Sequence, residues 1–200
     1  MRNDEARKNR IMEYVLKTAM ASGFSRVTVE DIARGVGMGK GTLYALFPSK
    51  QALLLSSIDY FEAKMTAMLE SILTDEGLSA TDKLNTFLKA VAHQLSFINP
   101  AALADIERNM PEAYEKIERA RQKILTTKLV SLFQDGKRNG IYNTSMDERL
   151  VAQILIGAVR HITQAQVIAT LDYTFDRLFG SILSILLKGC LTEENRHLVL

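Results

Sequence analysis

Four glycines at alternate positions interrupt a segment whose apolar residues otherwise follow helical spacing. They are Gly35, Gly37, Gly39 and Gly41, within RGVGMGKGTLYALF at residues 34–47. A glycine-rich stretch that contains a lysine can bind the phosphates of a nucleotide. It can also form the turn between two short helices that bind DNA. The spacing of the glycines and the type of the preceding element distinguish these alternatives.

A phosphate-binding loop is excluded by both criteria. A Walker-type loop requires a glycine five positions before Gly39 and a serine or threonine directly after Lys40. Those positions hold Arg34 and Gly41. The dinucleotide-binding spacing, Gly-x-Gly-x-x-Gly, is absent from every register of the stretch. Both loops also follow a strand, whereas the residues before this stretch predict a capped amphipathic helix.

The segment instead predicts two short helices joined by a tight turn. Thr28 and Asp31 have the spacing of a capping box, which opens the first of these helices. Gly37 suits a turn that requires a positive φ. Gly39 can act as a weak N-cap for the next helix, which ends before Pro48.

The two helices are expected to share an apolar seam and to leave a polar face exposed. The seam consists of Ile32, Ala33, Val36, Leu43 and Phe47, and the outward face of Lys40, Gly41, Thr42 and Tyr44. A glycine at position 41 lets the backbone approach DNA closely. Thr42 can contact base edges in the major groove, Lys40 can reach a guanine or a phosphate, and Tyr44 can donate to a phosphate. Packing of Tyr44 against the first helix remains an alternative, as does a Thr28 that caps its helix without touching DNA.

The remaining residues also predict helices, so the expected fold class is all-α. Apolar residues follow helical spacing over residues 6–22, from Lys50 onward, and over about 79–97, 111–138, 147–169 and 172–189, with a short helix after Pro100. No convincing strand-like alternation occurs. Near residue 52, basic and turn-rich sequence gives way to long helices, which predicts a domain boundary between 1–52 and 53–200.

The charge distribution favours an anionic partner for the N-terminal domain. Residues 1–50 hold nine Lys or Arg and five Asp or Glu, a balance of +4, whereas the whole chain has a net charge of only +2. Arg7, Lys8 and Arg10 precede the core of the first helix. They can clamp a DNA backbone, or they can belong to a frayed and solvated terminus.

The segment TVEDIARGVGMGKGTLYALFPSKQALL resembles the DNA-binding signature of the TetR family of transcriptional regulators. The resemblance covers about residues 8–55, and the rest of the chain agrees only in its helical architecture. It implies a three-helix helix-turn-helix DNA-binding domain at residues 1–52 and a larger helical ligand-binding and dimerisation domain at residues 53–200. By position, it implies DNA contacts from Thr28, Lys40, Gly41, Thr42, Tyr44 and Lys50. Gly39 and Ala45 depart from the family pattern, where a serine or threonine and a larger polar residue are common.

The resemblance also implies a cytoplasmic repressor that binds a palindromic double-stranded DNA operator as a homodimer. A small, largely apolar effector would release it by moving the fourth helix. The expected pocket residues are Phe61, Met65, Phe87, His93, Phe97, Tyr114, Phe133 and His161. For each of these residues a plain core position is the alternative, and for the two histidines it is a buried, hydrogen-bonded side chain. A helix-turn-helix module without an inducer is the alternative function.

The last two long helices carry more apolar surface than one core requires, so we expect them to form the dimer interface as a four-helix bundle with their symmetry mates. The expected interface residues are Gly157, Ala158, Phe179, Ile182, Leu183 and Leu186. The alternative is that these residues face the protomer's own core.

The composition gives no support to an enzyme, a metalloprotein or a membrane protein. The chain has three histidines and one cysteine, Cys190, and it contains no HExxH or CxxC pattern. We therefore expect no catalytic residues, metal or cofactor, and no disulfide within the chain. The first ten residues are polar and no apolar run is long enough to cross a bilayer, which favours a soluble cytosolic protein.

Overall fold

The computed structural model describes residues 2–97, 99–162, 164, 167 and 175–198. Within these ranges the chain is helical, and its one β-type contact is an isolated bridge between Tyr142 and Leu191. The helices are α1 (Arg2–Ser22), α2 (Val29–Gly35), α3 (Lys40–Leu46), α4 (Lys50–Leu73), α5 (Ala80–Ser96), α6 (Pro100–Asn109), α7 (Pro111–Ile124), α8 (Val130–Arg138), α9 (Glu148–Ile162) and α10 (Phe175–Cys190). The predicted all-α fold class is confirmed.

Two helices differ from the sequence prediction in extent. Helix α1 begins at Arg2 rather than near residue 6. The helix predicted over residues 111–138 divides into α7 and α8, which are joined by a π-helical segment at Leu125–Leu129. Most of the predicted stretch 163–169 and the predicted start at 172–174 lie outside the described residues.

By their contacts the residues form two compact units, Met1–Met65 with Phe97–Ala120, and Thr66–Ser96 with Arg121–Leu200. In the first unit α1 packs against α2 and α6, and α2 packs against α3. Its core is apolar and includes residues from the N-terminal helices together with Ile106 of α6 and Ala113 of α7. The packing of α6 and α7 with the N-terminal helices was not anticipated, and the functional boundary at residue 52 stays a prediction.

The second unit is built from the remaining helices. Helix α9 packs against α8, α10 and the π-helical segment, and α5 packs against α8 and α10. Phe87 of α5 and Phe133 of α8 are fully buried here. The Phe133 ring meets Tyr142 edge to face, with ring centroids 5.3 Å apart. These aromatic side chains therefore contribute to the packing of the unit.

Candidate nucleic-acid interface

Helices α2 and α3 are joined by the tight turn that the glycine pattern predicts. The Thr28 side chain accepts from the Asp31 amide at 3.1 Å, and the Asp31 carboxylate accepts from the Thr28 amide at 3.1 Å, which forms the predicted capping box. Gly37 has a φ of +70°, a conformation that favours glycine over residues with a side chain. Arg10 of α1 donates to the Val36 carbonyl at 2.8 Å and so ties the turn to the first helix.

The two faces of α3 have opposite environments. Leu43 is buried against the seam that contains Ile32, Ala33, Val36 and Phe47, as predicted. In contrast, Lys40, Gly41, Thr42 and Ala45 are exposed, and Tyr44 is 42% exposed. Gly39 is the N-cap of α3 and supplies no side-chain hydrogen bond, in line with its predicted role as a weak cap. A short helix that buries one face and presents small polar groups on the other is the geometry of a recognition helix.

Lys40, the first residue of α3, is held by an acidic side chain of α2. Its ammonium donates to the Glu30 carboxylate, and it also lies 5.8 Å from the centroid of the Tyr44 ring. The hydrogen bond from Lys40 lowers the pKa of Glu30, and the same contact raises the pKa of Lys40. The lysine that the sequence assigns to DNA is therefore paired within the protein when DNA is absent.

Lys50 occupies a different environment from the one predicted. Its ammonium donates to the Phe24 carbonyl at 2.5 Å and lies 4.5 Å from the centroid of the Phe24 ring. Burial lowers the pKa of Lys50, and the nearby Asp105 opposes that shift. In the unbound protein the charged end of this side chain is directed to the turn after α1, so the phosphate contact expected of Lys50 stays a prediction.

Arg7 and Lys8 are exposed residues within α1. The N-terminal residues therefore form a helix rather than the frayed terminus that the sequence left open. The contact of Arg10 with Val36 makes that arginine a structural residue, whereas Arg7 and Lys8 remain candidates for backbone contacts.

Family models match most of the chain. Residues 16–56 match the model described as bacterial regulatory proteins, tetR family, and residues 61–189 match the model described as YsiA-like protein, C-terminal region. The chain belongs to the TetR family. It is therefore a DNA-binding transcriptional regulator, and the proteins of this family are regulators rather than enzymes. TetR-family regulators bind DNA operators, dimerise and bind small-molecule ligands.

Two proteins of Bacillus subtilis (strain 168) are similar to this TetR-family chain over nearly its whole length. The uncharacterized HTH-type transcriptional regulator YvaF is 23% identical over 185 residues, covering 92% of this chain and 96% of YvaF. The fatty acid metabolism regulator protein is 23% identical over 197 residues, covering 94% of this chain and 98% of that protein. The crystal structure of FadR from Bacillus subtilis in complex with stearoyl-CoA has the same fold, with a TM-score of 0.64 at 21% identity, over 90% of this chain and 97% of FadR.

Hydrogen bonds join α6 to the turn between α1 and α2, a feature that sequence analysis missed. The Asn99 side chain donates to the Ala21 carbonyl at 3.0 Å. The Asp105 carboxylate accepts from the Ser25 amide at 2.9 Å and from the Ser25 hydroxyl. Burial alone would raise the pKa of Asp105, but the hydrogen bonds from Ser25, from Asn109 and from the Phe24 backbone together outweigh it, so the pKa is lowered. The sequence showed only a break at Asn99-Pro100, because these partners are far apart in the chain.

The predicted effector pocket is only partly compatible with the structure. Met65, Phe87 and Phe133 are buried, and Phe61 and Tyr114 are half-buried. His93 and His161 are exposed, so the alternative of a buried, hydrogen-bonded histidine is wrong for both. Phe97 is 57% exposed, so the alternative of a plain core position is wrong there, and exposure gives no support to a place in the pocket for any of the three. Apolar neighbours along a helix do not reveal which face each residue occupies.

The π-helical segment carries a polar group that the sequence did not single out. The Thr126 hydroxyl is buried and has no hydrogen-bond partner within the described chain. A shift from α- to π-helical hydrogen bonding is frequent at functional sites. No apolar periodicity could have shown this irregularity, because the change lies in the backbone.

The predicted dimer residues divide into two groups. Gly157 is exposed, and Ala158, Ile182, Leu183 and Leu186 are half-buried. Phe179 is only 2% exposed and belongs to the core of its own protomer, which corrects its assignment to the interface. The structure adds Leu150, Ile154 and Ile185, which are 58%, 46% and 74% exposed, respectively. We call Leu150, Ile154 and Ile185 the exposed apolar face of α9 and α10.

Metal, thiol and membrane functions receive no support from the described residues. No group of three or more His, Cys, Asp or Glu among them could hold a metal ion. Burial raises the pKa of the Cys190 thiol and so disfavours the reactive thiolate. None of the described helices combines the length and the apolar character that crossing a bilayer requires.

Proposed function

We propose that this protein is a repressor that binds a palindromic operator as a homodimer and leaves it when a small, largely apolar effector binds. The observation that carries the proposal is the exposure of Thr42 and Tyr44 on α3, opposite the buried seam residue Leu43. One helix of two turns reads few base pairs. Two copies one helical turn or more apart supply the rest of the specificity.

The exposed apolar face of α9 and α10 supports the homodimer. Large aliphatic side chains at Leu150, Ile154 and Ile185 are exposed in the single chain. A Cβ added at Gly157 would meet nothing within 4 Å, so the surface there is open to the close approach of another helix. A second copy of the chain would cover this face by two-fold symmetry and form a four-helix bundle.

The proposed DNA contacts come from four residues of α3 and from α1. Lys40, Thr42 and Tyr44 would contact base edges and phosphates, and Gly41 would allow close backbone approach. Arg7 and Lys8 would add contacts to the DNA backbone, and Thr28 would join them from the N-terminus of α2. A repressor of this kind requires access to chromosomal DNA and hence a cytoplasmic location.

For the effector, we favour a fatty acyl compound, in particular an acyl-CoA thioester. The support is the likeness to the fatty acid metabolism regulator protein of Bacillus subtilis and to the FadR structure that contains stearoyl-CoA. Buried Phe87 and Phe133 of the second unit would contribute apolar surface, and the unpartnered Thr126 hydroxyl of the same unit is a candidate polar contact. A mostly apolar site with few polar groups is typical of such ligands.

The hydrogen bonds between α6 and the α1–α2 turn could couple effector binding to a change in the DNA-binding helices. A displacement of α6 would pull on Ser25 through Asp105 and on Ala21 through Asn99. Release requires the effector to bind the displaced arrangement more tightly than the DNA-bound one.

The experiment combines operator selection with effector screening. Duplex selected from a random pool is used to measure release by acyl-CoA thioesters of increasing chain length, with coenzyme A and free fatty acids as controls. The proposal predicts that one chain-length class both raises the melting temperature and releases DNA. Asp105→Ala should retain effector binding but release DNA less well. If no compound does both, the acyl effector is refuted, while binding of the selected duplex would still support the operator function.

A further inference from the structure

The Glu30–Lys40 ion pair connects α2 to the N-terminus of α3 in the DNA-binding motif. Both side chains are 52% exposed, and Lys40 belongs to the face of α3 that is proposed to meet DNA. The neighbouring Asp31 is already engaged, because its carboxylate accepts from the backbone and hydroxyl of Thr28. Glu30 is therefore the carboxylate that meets Lys40.

An exposed ion pair of this kind contributes little to folding stability, since water solvates both charges well. We expect its effect on the free energy of DNA binding to be larger than its effect on folding stability. Lys40 has to leave Glu30 before it can contact a phosphate or a guanine. The Glu30 carboxylate then faces the polyanion without its partner, and this like-charge repulsion opposes binding.

We propose that Glu30 is a specificity-determining residue, which withholds Lys40 from any duplex that lacks a well-placed acceptor for it. On random DNA, a loosely placed phosphate is a poorer partner for Lys40 than Glu30 is. Moving Lys40 from Glu30 to that phosphate therefore adds nothing to the free energy of binding. On the operator, a fixed acceptor such as a guanine edge compensates for the exchange. Glu30 thus increases discrimination by weakening binding to non-operator DNA, and it adds no contact to the operator.

The chain contains a matched control pair. Glu13 of α1 accepts from Lys64 of α4, with side-chain exposures of 49% and 61%, and Lys64 lies 6.0 Å from the Tyr60 ring centroid. This arrangement resembles the Glu30–Lys40–Tyr44 contacts, with one addition, a hydrogen bond from the Tyr60 hydroxyl to the Glu13 carboxylate at 3.1 Å. Lys64 is 14 residues beyond Lys50, the first residue of α4. The control pair therefore lies about 21 Å along the helix axis from the end of α4 that follows α3.

The test compares Glu30→Gln with Glu13→Gln on two duplexes of equal length, the selected operator and a scrambled sequence, over a range of salt concentrations. For Glu30→Gln we expect several-fold tighter binding to the scrambled duplex. The slope of log affinity against log salt should become steeper by up to about 0.9, since Lys40 then contributes a full phosphate contact. Operator affinity should change less, so the specificity ratio falls. Glu13→Gln should behave as the wild type, and melting temperatures check that each variant is folded.

A third variant separates the proposal from a general charge effect. In a Lys40→Gln background, Glu30→Gln should no longer lower the specificity ratio, because there is no lysine to release and the carboxylate repels both duplexes alike. An undiminished effect in that background would overturn the proposal. It would also be overturned if Glu30→Gln matched Glu13→Gln, or if it weakened both duplexes equally. Failure of the wild type to bind any duplex would instead refute the operator function itself.

Discussion

At the residue scale, two glycines of the same stretch meet opposite surroundings. A Cβ added at Gly35 would lie 2.0 Å from the Tyr14 hydroxyl oxygen, so a larger residue there would displace that ring. A Cβ added at Gly41 would meet nothing within 4 Å. The first glycine therefore serves the packing of α1 on α2, whereas the second is unconstrained by the protein, as its proposed close approach to DNA requires.

Gly41→Ala should leave the fold intact but weaken DNA binding. The methyl group has free space in the unbound protein, and alanine favours a helix over glycine by up to about 1 kcal/mol. The variant should thus melt at the same temperature or higher, while its operator affinity falls about tenfold or more because the methyl group blocks the approach of the backbone. Chemical denaturation and fluorescence anisotropy measure the two effects. Undiminished operator binding would show that the backbone at residue 41 does not approach DNA.

Lys50→Met should reduce stability rather than act mainly on DNA binding. The substitution removes the hydrogen bond from the ammonium to the Phe24 carbonyl, and hydrogen bonds to charged groups contribute about 1.5–3 kcal/mol. Urea unfolding of Lys50→Met and of Lys8→Met provides the comparison. Lys8→Met should retain stability and lose affinity for all duplexes alike. A fully stable Lys50→Met protein that binds DNA poorly would instead show that Lys50 is a phosphate contact.

At the element scale, local signals were sufficient for the α2–α3 motif and insufficient elsewhere. The capping box, the positive φ of Gly37 and the break at Pro48 all act within a few residues, so they can be read from sequence. The contacts of Lys50 with Phe24 and of Asp105 with Ser25 join residues 26 and 80 positions apart. Such partners depend on how helices pack, and apolar spacing does not specify them. The same limit explains the exposed His93 and His161 and the buried Phe179.

The packing of α8 on α9 should weaken in acid because of Glu148. Its own backbone amide and the side chains of Lys137, at 3.0 Å, and Gln134 donate to its carboxylate, and together they lower its pKa from 4.5 to about 2. A depressed carboxylate pKa stabilises the fold above the unfolded value, and this contribution is lost as pH falls from about 4.5 towards 2.

The measurement is the urea midpoint of the wild type and of Glu148→Gln between pH 7 and pH 2. The variant should be less stable at neutral pH and should lose less stability in acid, so that the two curves converge near pH 2. Lys137→Gln should reproduce part of the difference. Parallel curves over the whole range would show that Glu148 does not link α8 to α9 in this way.

At the scale of the whole molecule, the exposed apolar face of α9 and α10 bears on the assembly that reads DNA. Ile185 is 74% exposed and Leu150 58%, which is unfavourable for large aliphatic side chains in water. The proposed homodimer would remove this surface from water and supply the second recognition helix that a palindromic operator requires.

Ile185→Glu should therefore produce a monomer with weak operator binding. The wild type should have a solution mass near twice the 22.4 kDa of the chain, and the variant a mass near 22.4 kDa. Thr86→Glu adds the same charge at an exposed polar position of α5, outside α9 and α10, and should remain dimeric. Analytical ultracentrifugation at micromolar concentration distinguishes these masses. A wild-type monomer would contradict the proposed bundle.

The central claim is that the exposed face of α3 lies in the major groove and reads base edges. Selection of bound duplexes from a random pool tests it most directly when the wild type is compared with Thr42→Ala and Tyr44→Phe. We expect the wild type to enrich an inverted repeat, Thr42→Ala to change the preferred base at the same position of both half-sites, and Tyr44→Phe to weaken binding without changing the sequence. An unchanged sequence and affinity for Thr42→Ala, or no enriched repeat for the wild type, would contradict the account.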